Sequence, residues 1–146
     1  MAIYDNLPVY KTSYDLLLRI FQLCQNMERD FKFTIGESLK KEIIELIINV
    51  YRANSREDKL ALISSARENA VVIRLLLRLL QDLKQVKLET FVELNEKIES
   101  VSKQLAAWYN SQNKPPLTPP KGENKKTFST GESLGGGANL FQESAG

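Results

Sequence analysis

The sequence predicts an all-α protein: an up-down antiparallel four-helix bundle followed by a disordered C-terminal tail. Apolar residues recur at spacings of three and four along four segments of about 20 residues, which is the period of an amphipathic helix. No segment alternates between apolar and polar residues over a useful length, so strands are not expected. The breaks between the segments are short, and short connections make successive helices antiparallel neighbours.

The first predicted helix begins after Pro8, because proline suits the first turn of a helix, and it runs to about Glu28. We expect a break over Arg29–Phe33. The segment Thr34–Glu37 then has the spacing of a capping box. In such a box the threonine hydroxyl accepts a hydrogen bond from one free backbone amide, and the glutamate accepts one from another. The second predicted helix starts at this box and continues to about Ala53.

The third predicted helix starts at a second candidate capping box, formed by Ser55 and Asp58, and runs to about Leu83. Gln85–Lys87 is a weak break, since it contains neither glycine nor proline. The fourth predicted helix covers about Glu89–Tyr109. Its apolar residues form one stripe, which is what a helix packed against a single core needs.

The composition divides the chain into a bundle over residues 1–111 and a flexible tail over residues 112–146. Lys114–Pro120 contains four prolines and cannot be helical, because proline lacks the amide donor and clashes with the preceding turn. The rest of the tail has few large apolar residues and includes three consecutive glycines. Such a segment cannot bury enough surface to offset its ordering entropy.

The residue types that catalysis and metal binding need are scarce. The 146 residues include no histidine and one cysteine, Cys24, so zinc and copper sites and Ser/His or Cys/His pairs are excluded. Gly36 is the first glycine, and the next follows only at position 122, so a phosphate loop is absent. We therefore expect no enzyme activity, no cofactor, no metal and no small-molecule substrate.

The apolar runs, the N-terminus and the cysteine content indicate the cellular compartment in which the protein is expected. No run approaches the ~20 residues of a membrane span, and the N-terminus lacks the basic and apolar regions of a secretory signal. A single cysteine cannot form an internal disulfide, which is typical of a reducing compartment. We expect a cytoplasmic protein without a membrane partner.

Three predicted helices, all except the fourth, carry more apolar surface than one core needs. On the first predicted helix, Tyr14 and Leu18 lie on the side opposite Leu16 and Ile20. On the second, a core stripe is extended by further apolar residues: Ile44, Ile47, Ile48 and Tyr51. A helix with apolar residues on two sides must bury both or expose a large patch. We expect a homo-oligomer that covers the second side, the alternative being an unusually apolar monomer surface.

The third predicted helix concentrates positive charge. The formal charge of the chain is only +2, but five bases face two acids between Arg67 and Lys87. Arg67, Arg74 and Arg78 fall on one side of a helix that is otherwise apolar between residues 70 and 80. An unpaired arginine is costly to bury, so this row must meet water, carboxylates or phosphates. Pairing with acids of the second helix, such as Glu42 or Glu45, is the structural alternative.

The order and spacing of these patterns resemble a known family, the accessory variability determinant (Avd) proteins of diversity-generating retroelements. The resemblance covers about residues 5–111. The segments that carry it are Leu7–Lys11, Tyr14–Leu17, Thr34–Lys40, Val50–Ser55, Arg74–Arg78 and Ala106–Trp108. A related family, the proteins encoded in 23S ribosomal RNA intervening sequences, has a proline-containing stretch at the end of the second helix. Here Ile48–Asn54 contains no proline, which favours the retroelement family.

The resemblance implies a pentamer of four-helix protomers that associates with the reverse transcriptase and template RNA of the element, in support of mutagenic cDNA synthesis. It also implies a contact with nucleic acid or polymerase for Arg74 and Arg78, which match the paired basic positions of the family. We add Arg67 from the helical wheel and Lys84 from its proximity along the chain. The alternative is a structural homo-oligomer, similar to the intervening-sequence proteins, that binds only protein partners.

Overall fold

The computed structural model describes residues 7–55 and 58–113, and within these ranges every regular element is helical. Four long helices form the fold: α1, Pro8–Gln25; α2, Glu37–Ser55; α3, Lys59–Asp82; and α4, Leu88–Gln112. The prediction of an all-α four-helix protein is confirmed. Helix α4 continues slightly beyond its predicted end, with Asn113 as its C-cap. The rest of the predicted tail lies outside the described residues.

Each helix packs against its neighbours in the chain, and the ring is closed by α1 against α4. This is the contact pattern of an up-down bundle. One side of every helix lines a single core. Its largest fully buried side chains are Leu16, Ile20, Leu39, Ile43, Leu46, Ile63, Ile73, Leu77, Leu80, Leu94, Ile98 and Leu105. No helix in the described part of the chain is long and apolar enough to cross a membrane.

The chain leaves the helical conformation over residues 26–28, and the predicted break at Arg29–Phe33 is itself helical. A short helical turn, Arg29–Phe31, leads into a π-helical turn, Lys32–Gly36, which continues directly into α2. The Thr34 hydroxyl donates to the backbone carbonyl of Asp30 at 2.8 Å. Because that hydroxyl bonds the preceding turn, it does not cap the N-terminus of α2, and the predicted capping box is wrong.

The second predicted capping box is also wrong. Ser55 is the last residue of α2, and its hydroxyl donates backwards to the carbonyl of Arg52 at 3.3 Å. Asp58 occupies the N-cap position of α3 without a side-chain capping bond. The two helix ends are linked instead by Lys59, whose ammonium donates to the carbonyl of Ala53 at 2.9 Å.

The break between α3 and α4 lies where the sequence predicts it, and it is a Schellman motif. The amide of Lys84 bonds the carbonyl of Gln81 at 3.0 Å, and the amide of Gln85 bonds the carbonyl of Leu80 at 2.9 Å. Lys84 has a φ of 60°, the left-handed conformation that usually selects glycine at this position. The motif therefore ends α3 without the glycine by which such breaks are recognised.

The surplus apolar surface predicted for the first two helices is present. Its exposed members are Tyr14 and Leu18 on α1 and Ile44, Ile48 and Tyr51 on α2, and we refer to these five as the α1–α2 apolar face. The two helices pack against each other, so the five side chains lie on the outside of one helix pair. Cys24, on the opposite side of α1, is buried, and burial raises the pKa of its thiol.

Candidate nucleic-acid interface

The three arginines of α3 lie along its seam with α4, and we call Arg67, Arg74 and Arg78 the arginine row. The guanidinium carbon of Arg67 is 5.2 Å from the centre of the Tyr109 ring. Nη2 of Arg74 lies 2.7 Å from Oε2 of Glu99. All three side chains are exposed. The structure thus brings these three sequence-predicted residues together on one outer edge of the bundle.

The carboxylates beside the row leave its charge accessible. The Arg74 side chain is 45 % exposed in its pair with Glu99. Arg78 is more exposed, and its Nε lies 3.6 Å from Oδ1 of Asp82, one turn along the same helix. Exposed pairs of this kind contribute about 0–1 kcal/mol, so an anionic partner can compete for either arginine.

The alternative pairing of the row with acids of α2 is not observed. Glu42 and Glu45 belong to α2 and lie at its seam with α3, on the side of α3 away from the row. Both accept a hydrogen bond from the side-chain amide of Asn69. Arg67 faces an aromatic ring rather than a carboxylate. Among the described residues, the row is therefore partly paired, with acids of α3 and α4.

An exposed apolar ridge runs beside the arginine row. It consists of Val71, Leu75 and Leu79, at successive spacings of four on the outer side of α3. Leu75 is 64 % exposed and Val71 is 62 % exposed. The sequence predicts that the apolar arc of this helix is wider than one core needs, and these three residues are the part that the core of one chain leaves exposed. The helix presents a combined basic and apolar face, which suits a partner that is both anionic and partly apolar.

The fourth predicted site residue, Lys84, lies apart from the row. It is exposed in the loop between α3 and α4, after the last turn of α3. The same loop contacts the connection between α1 and α2, where the amide of Glu28 donates to Oε1 of Gln85 at 3.2 Å. Lys84 therefore belongs to the end of the bundle rather than to the arginine row.

Sequence reasoning missed the ion pair that joins α1 to α4. Arg19 donates from Nε to Oε2 of Glu93 at 2.7 Å and from Nη2 to Oε1 at 2.8 Å. These two bonds lower the pKa of Glu93 and raise that of Arg19. The partners are 74 positions apart, so no local spacing could have indicated their contact.

A buried polar contact between α2 and α3 was also missed. Asn69 is only 9 % exposed, accepts a hydrogen bond from Asn49 at 2.9 Å and donates to Glu42 at 2.9 Å. Its position among apolar residues of α3 is the one signal that the sequence gives. Within the described ranges, no three carboxylate or thiol groups lie close enough together to hold a metal ion.

A family model matches the part of the chain that forms this structure. The model describes bAvd-like proteins and matches residues 8–112, from the first residue of α1 to the last residue of α4. The chain belongs to the bAvd-like family. The arginine row, the apolar ridge and the α1–α2 apolar face of this bAvd-like chain all lie within the matched residues.

A solved structure is similar to this bAvd-like chain in fold. It is a protein of unknown function from the S23 ribosomal protein family of Bacteroides thetaiotaomicron, with a TM-score of 0.64 and 20 % sequence identity. The match covers 70 % of the bAvd-like chain and 95 % of the other protein. At this identity the similarity shows the bundle fold alone. No curated protein matches the bAvd-like chain.

Proposed function

We propose that this protein is a non-catalytic accessory subunit of a diversity-generating retroelement that acts in the cytoplasm. It binds the reverse transcriptase together with template RNA or its cDNA and supports mutagenic reverse transcription. Membership of the bAvd-like family supports the accessory role. The observation that carries the proposal is the arginine row beside the exposed apolar ridge on α3.

The spacing of the row suits a nucleic-acid strand. Along a helix that rises 1.5 Å per residue, Arg74 and Arg78 are separated by about 6 Å and the whole row spans about 16 Å. In a duplex, successive phosphates of one strand are about 3.4 Å apart along the helix axis. The length of the row therefore corresponds to about five nucleotides of a strand. The planar guanidinium can donate two parallel hydrogen bonds to a phosphate, which lysine cannot. The three arginines can therefore contact separate phosphates of one strand.

Self-association fits the α1–α2 apolar face. Five large apolar side chains exposed on one helix pair are unusual for a monomer and typical of a protein interface. A ring of copies, the pentamer that the family resemblance implies, would cover this face and repeat the arginine row around an axis. Repetition sums the positive potential of the rows and strengthens the attraction of a polyanion.

The arginine row is tested by removing two of its three charges. In Arg74→Ala/Arg78→Ala we expect weaker binding of single-stranded RNA in fluorescence anisotropy and weaker capture of the reverse transcriptase. The loss of two phosphate contacts should reduce the slope of log affinity against log salt by about 1.4, since each contact to a single strand adds about 0.7. The matched control is Lys97→Ala/Lys103→Ala, which removes the same charge from α4. Equal losses in the two double variants would contradict a specific role for the row.

The interface between copies is tested by Ile48→Asn. We expect a lower mass by light scattering, because Ile48 lies between Ile44 and Tyr51 on the α1–α2 apolar face and a polar side chain there is costly to bury. Val92→Asn is the control, since Val92 is similarly exposed but lies on α4. The arginine double variant should keep the wild-type mass. A wild-type protein with the mass of one chain would overturn the proposed oligomer.

A second candidate function is a structural homo-oligomer that binds only protein partners. The pairs of Arg74 with Glu99 and of Arg78 with Asp82 favour it, because paired arginines need no phosphate. The apolar ridge favours it as well, since a protein covers apolar surface more completely than a nucleic-acid backbone does. Absence of RNA binding at low salt, with capture of the polymerase intact, would select this candidate.

A further inference from the structure

A phenylalanine is exposed at the end of the bundle, on the π-helical turn that precedes α2. Phe33 is 61 % exposed, although phenylalanine is among the residues most often buried in folded proteins. Its neighbours Phe31 and Ile35 pack against the core. The turn is thus anchored by the apolar side chains on either side of Phe33 and holds the Phe33 ring towards solvent.

Two cations flank the exposed ring. The guanidinium carbon of Arg29 and Nζ of Lys32 each lie 6.0 Å from the centre of the Phe33 ring. Both cations lie over the ring, at the outer limit of cation–π attraction, so the contacts are weak and a stacking base can displace them. Neither cation forms an ion pair with a carboxylate of residues 7–55 or 58–113.

The neighbouring loop adds positive charge at the same end of the bundle. The bond between the amide of Glu28 and the side chain of Gln85 joins the Phe33 segment to the α3–α4 loop. That loop contributes Lys84 and Lys87, both exposed. Residues 28–36 and 83–88 together contain four bases and two acids. The exposed ring is therefore accompanied by four bases, while Glu37, Asp82 and Glu89 directly adjoin the two segments.

We propose that Phe33 is a stacking platform for an unpaired base of a single-stranded nucleic acid, with Arg29 and Lys32 bonding the adjacent phosphates. This inference rests on the proposed function, and it identifies a second contact surface, separate from the arginine row. An aromatic face between cations matches the alternation of base and phosphate in a single strand. A duplex, whose bases are stacked inside, offers no base to such a ring. π-helical turns recur at functional sites, which agrees with this placement.

The test compares single-stranded and double-stranded ligands. Wild type, Phe33→Ala and Phe33→Trp are titrated by anisotropy against labelled oligouridine, against oligodeoxythymidine of equal length, and against a duplex of poly(A) and poly(U). We expect Phe33→Ala to lose affinity for single strands by about 5- to 150-fold, the range for loss of one stacked base. Phe33→Trp should retain it, and duplex affinity should not change in either variant. The two single strands distinguish template RNA from cDNA as the ligand.

Leu88→Ala is the matched control, because Leu88 is an apolar residue of similar exposure at the same end of the bundle. The platform is overturned if Phe33→Ala binds single strands as wild type does, if Leu88→Ala loses as much affinity, or if Phe33→Ala lowers the mass by light scattering. The last result would mean that the ring is covered by another copy. A wild-type protein that binds no single strand at low salt overturns the RNA part of the proposed function as well. Loss of binding confined to Arg74→Ala/Arg78→Ala overturns the platform alone.

Discussion

Nη2 of Arg74 lies 2.7 Å from Oε2 of Glu99, so α4 places a carboxylate against the middle of the arginine row. Both side chains are more than a third exposed, which keeps their attraction weak in water. A phosphate or a carboxylate of a partner must displace Glu99 to reach Arg74 fully. The ion pair therefore acts as an internal competitor for any anion that the row binds.

Removal of this competitor should strengthen binding. For Glu99→Gln we expect single-stranded RNA to bind about 1.5- to 5-fold more tightly at low salt, which corresponds to the 0.2–1 kcal/mol of an exposed ion pair. The control is Glu96→Gln, which makes the same change of net charge on α4 at a carboxylate without an ion pair in the described part of the chain. Equal gains in both variants would mean that only net charge matters, and no gain in either would argue that the row does not contact the RNA.

Lys84→Gly should stabilise the bundle. The left-handed conformation costs a residue with a side chain about 1–2 kcal/mol, and glycine offsets part of this gain through its greater entropy when unfolded. We expect a net increase of about 0.5–1 kcal/mol in the free energy of unfolding, measured by urea denaturation. Lys84→Ala removes the same charge but keeps the β-carbon, so it should show no increase.

The four helices could be predicted because one stripe of apolar residues per helix is enough to fix its position around a single core. The connections could not. Thr34 and Ser55 have the spacing of helix caps, but a hydroxyl near a helix end can equally donate to a carbonyl three or four residues before it. In both cases it does so here. Local sequence does not decide between these two bonds.

The arginine row could be predicted for the same reason, since helical geometry alone places its three members on one side. Surplus apolar surface on α3 could be predicted as well, but not which residues form it, because Val71 and Leu75 have the residue types of a core and only the packing of the neighbouring helices leaves them exposed. Exposure of Phe33 depends likewise on a π-helical turn that periodicity does not reveal. Contacts between distant positions, such as Arg19 with Glu93, require the folded arrangement.

The pair of Arg19 and Glu93 should make stability depend on acid pH. Hydrogen bonds from Arg19 hold the pKa of Glu93 below its ordinary value, so the stabilisation is complete above the unfolded pKa of about 4.3 and is lost as pH falls through the lower folded value. Both side chains are about a third exposed, which limits the effect to about 1 kcal/mol or less. Chemical denaturation between pH 7 and pH 3 should show a smaller loss in Glu93→Gln than in wild type. Glu96→Gln, the control, should follow the wild-type curve.

Asn69→Asp should destabilise the bundle more than a surface change of charge. The replacement keeps the shape of the side chain but exchanges the amide that donates to Glu42 and Glu45 for a carboxylate. Three negative groups then meet at a position that is 9 % exposed, and loss of a buried donor together with like-charge repulsion typically costs about 2–4 kcal/mol. Asn95→Asp is the control, because it adds the same charge to a half-exposed position on α4, and its effect should stay within about 0.5 kcal/mol. Urea denaturation measures both, and a similar small effect in the two variants would show that the Asn69 contact does not hold α2 against α3.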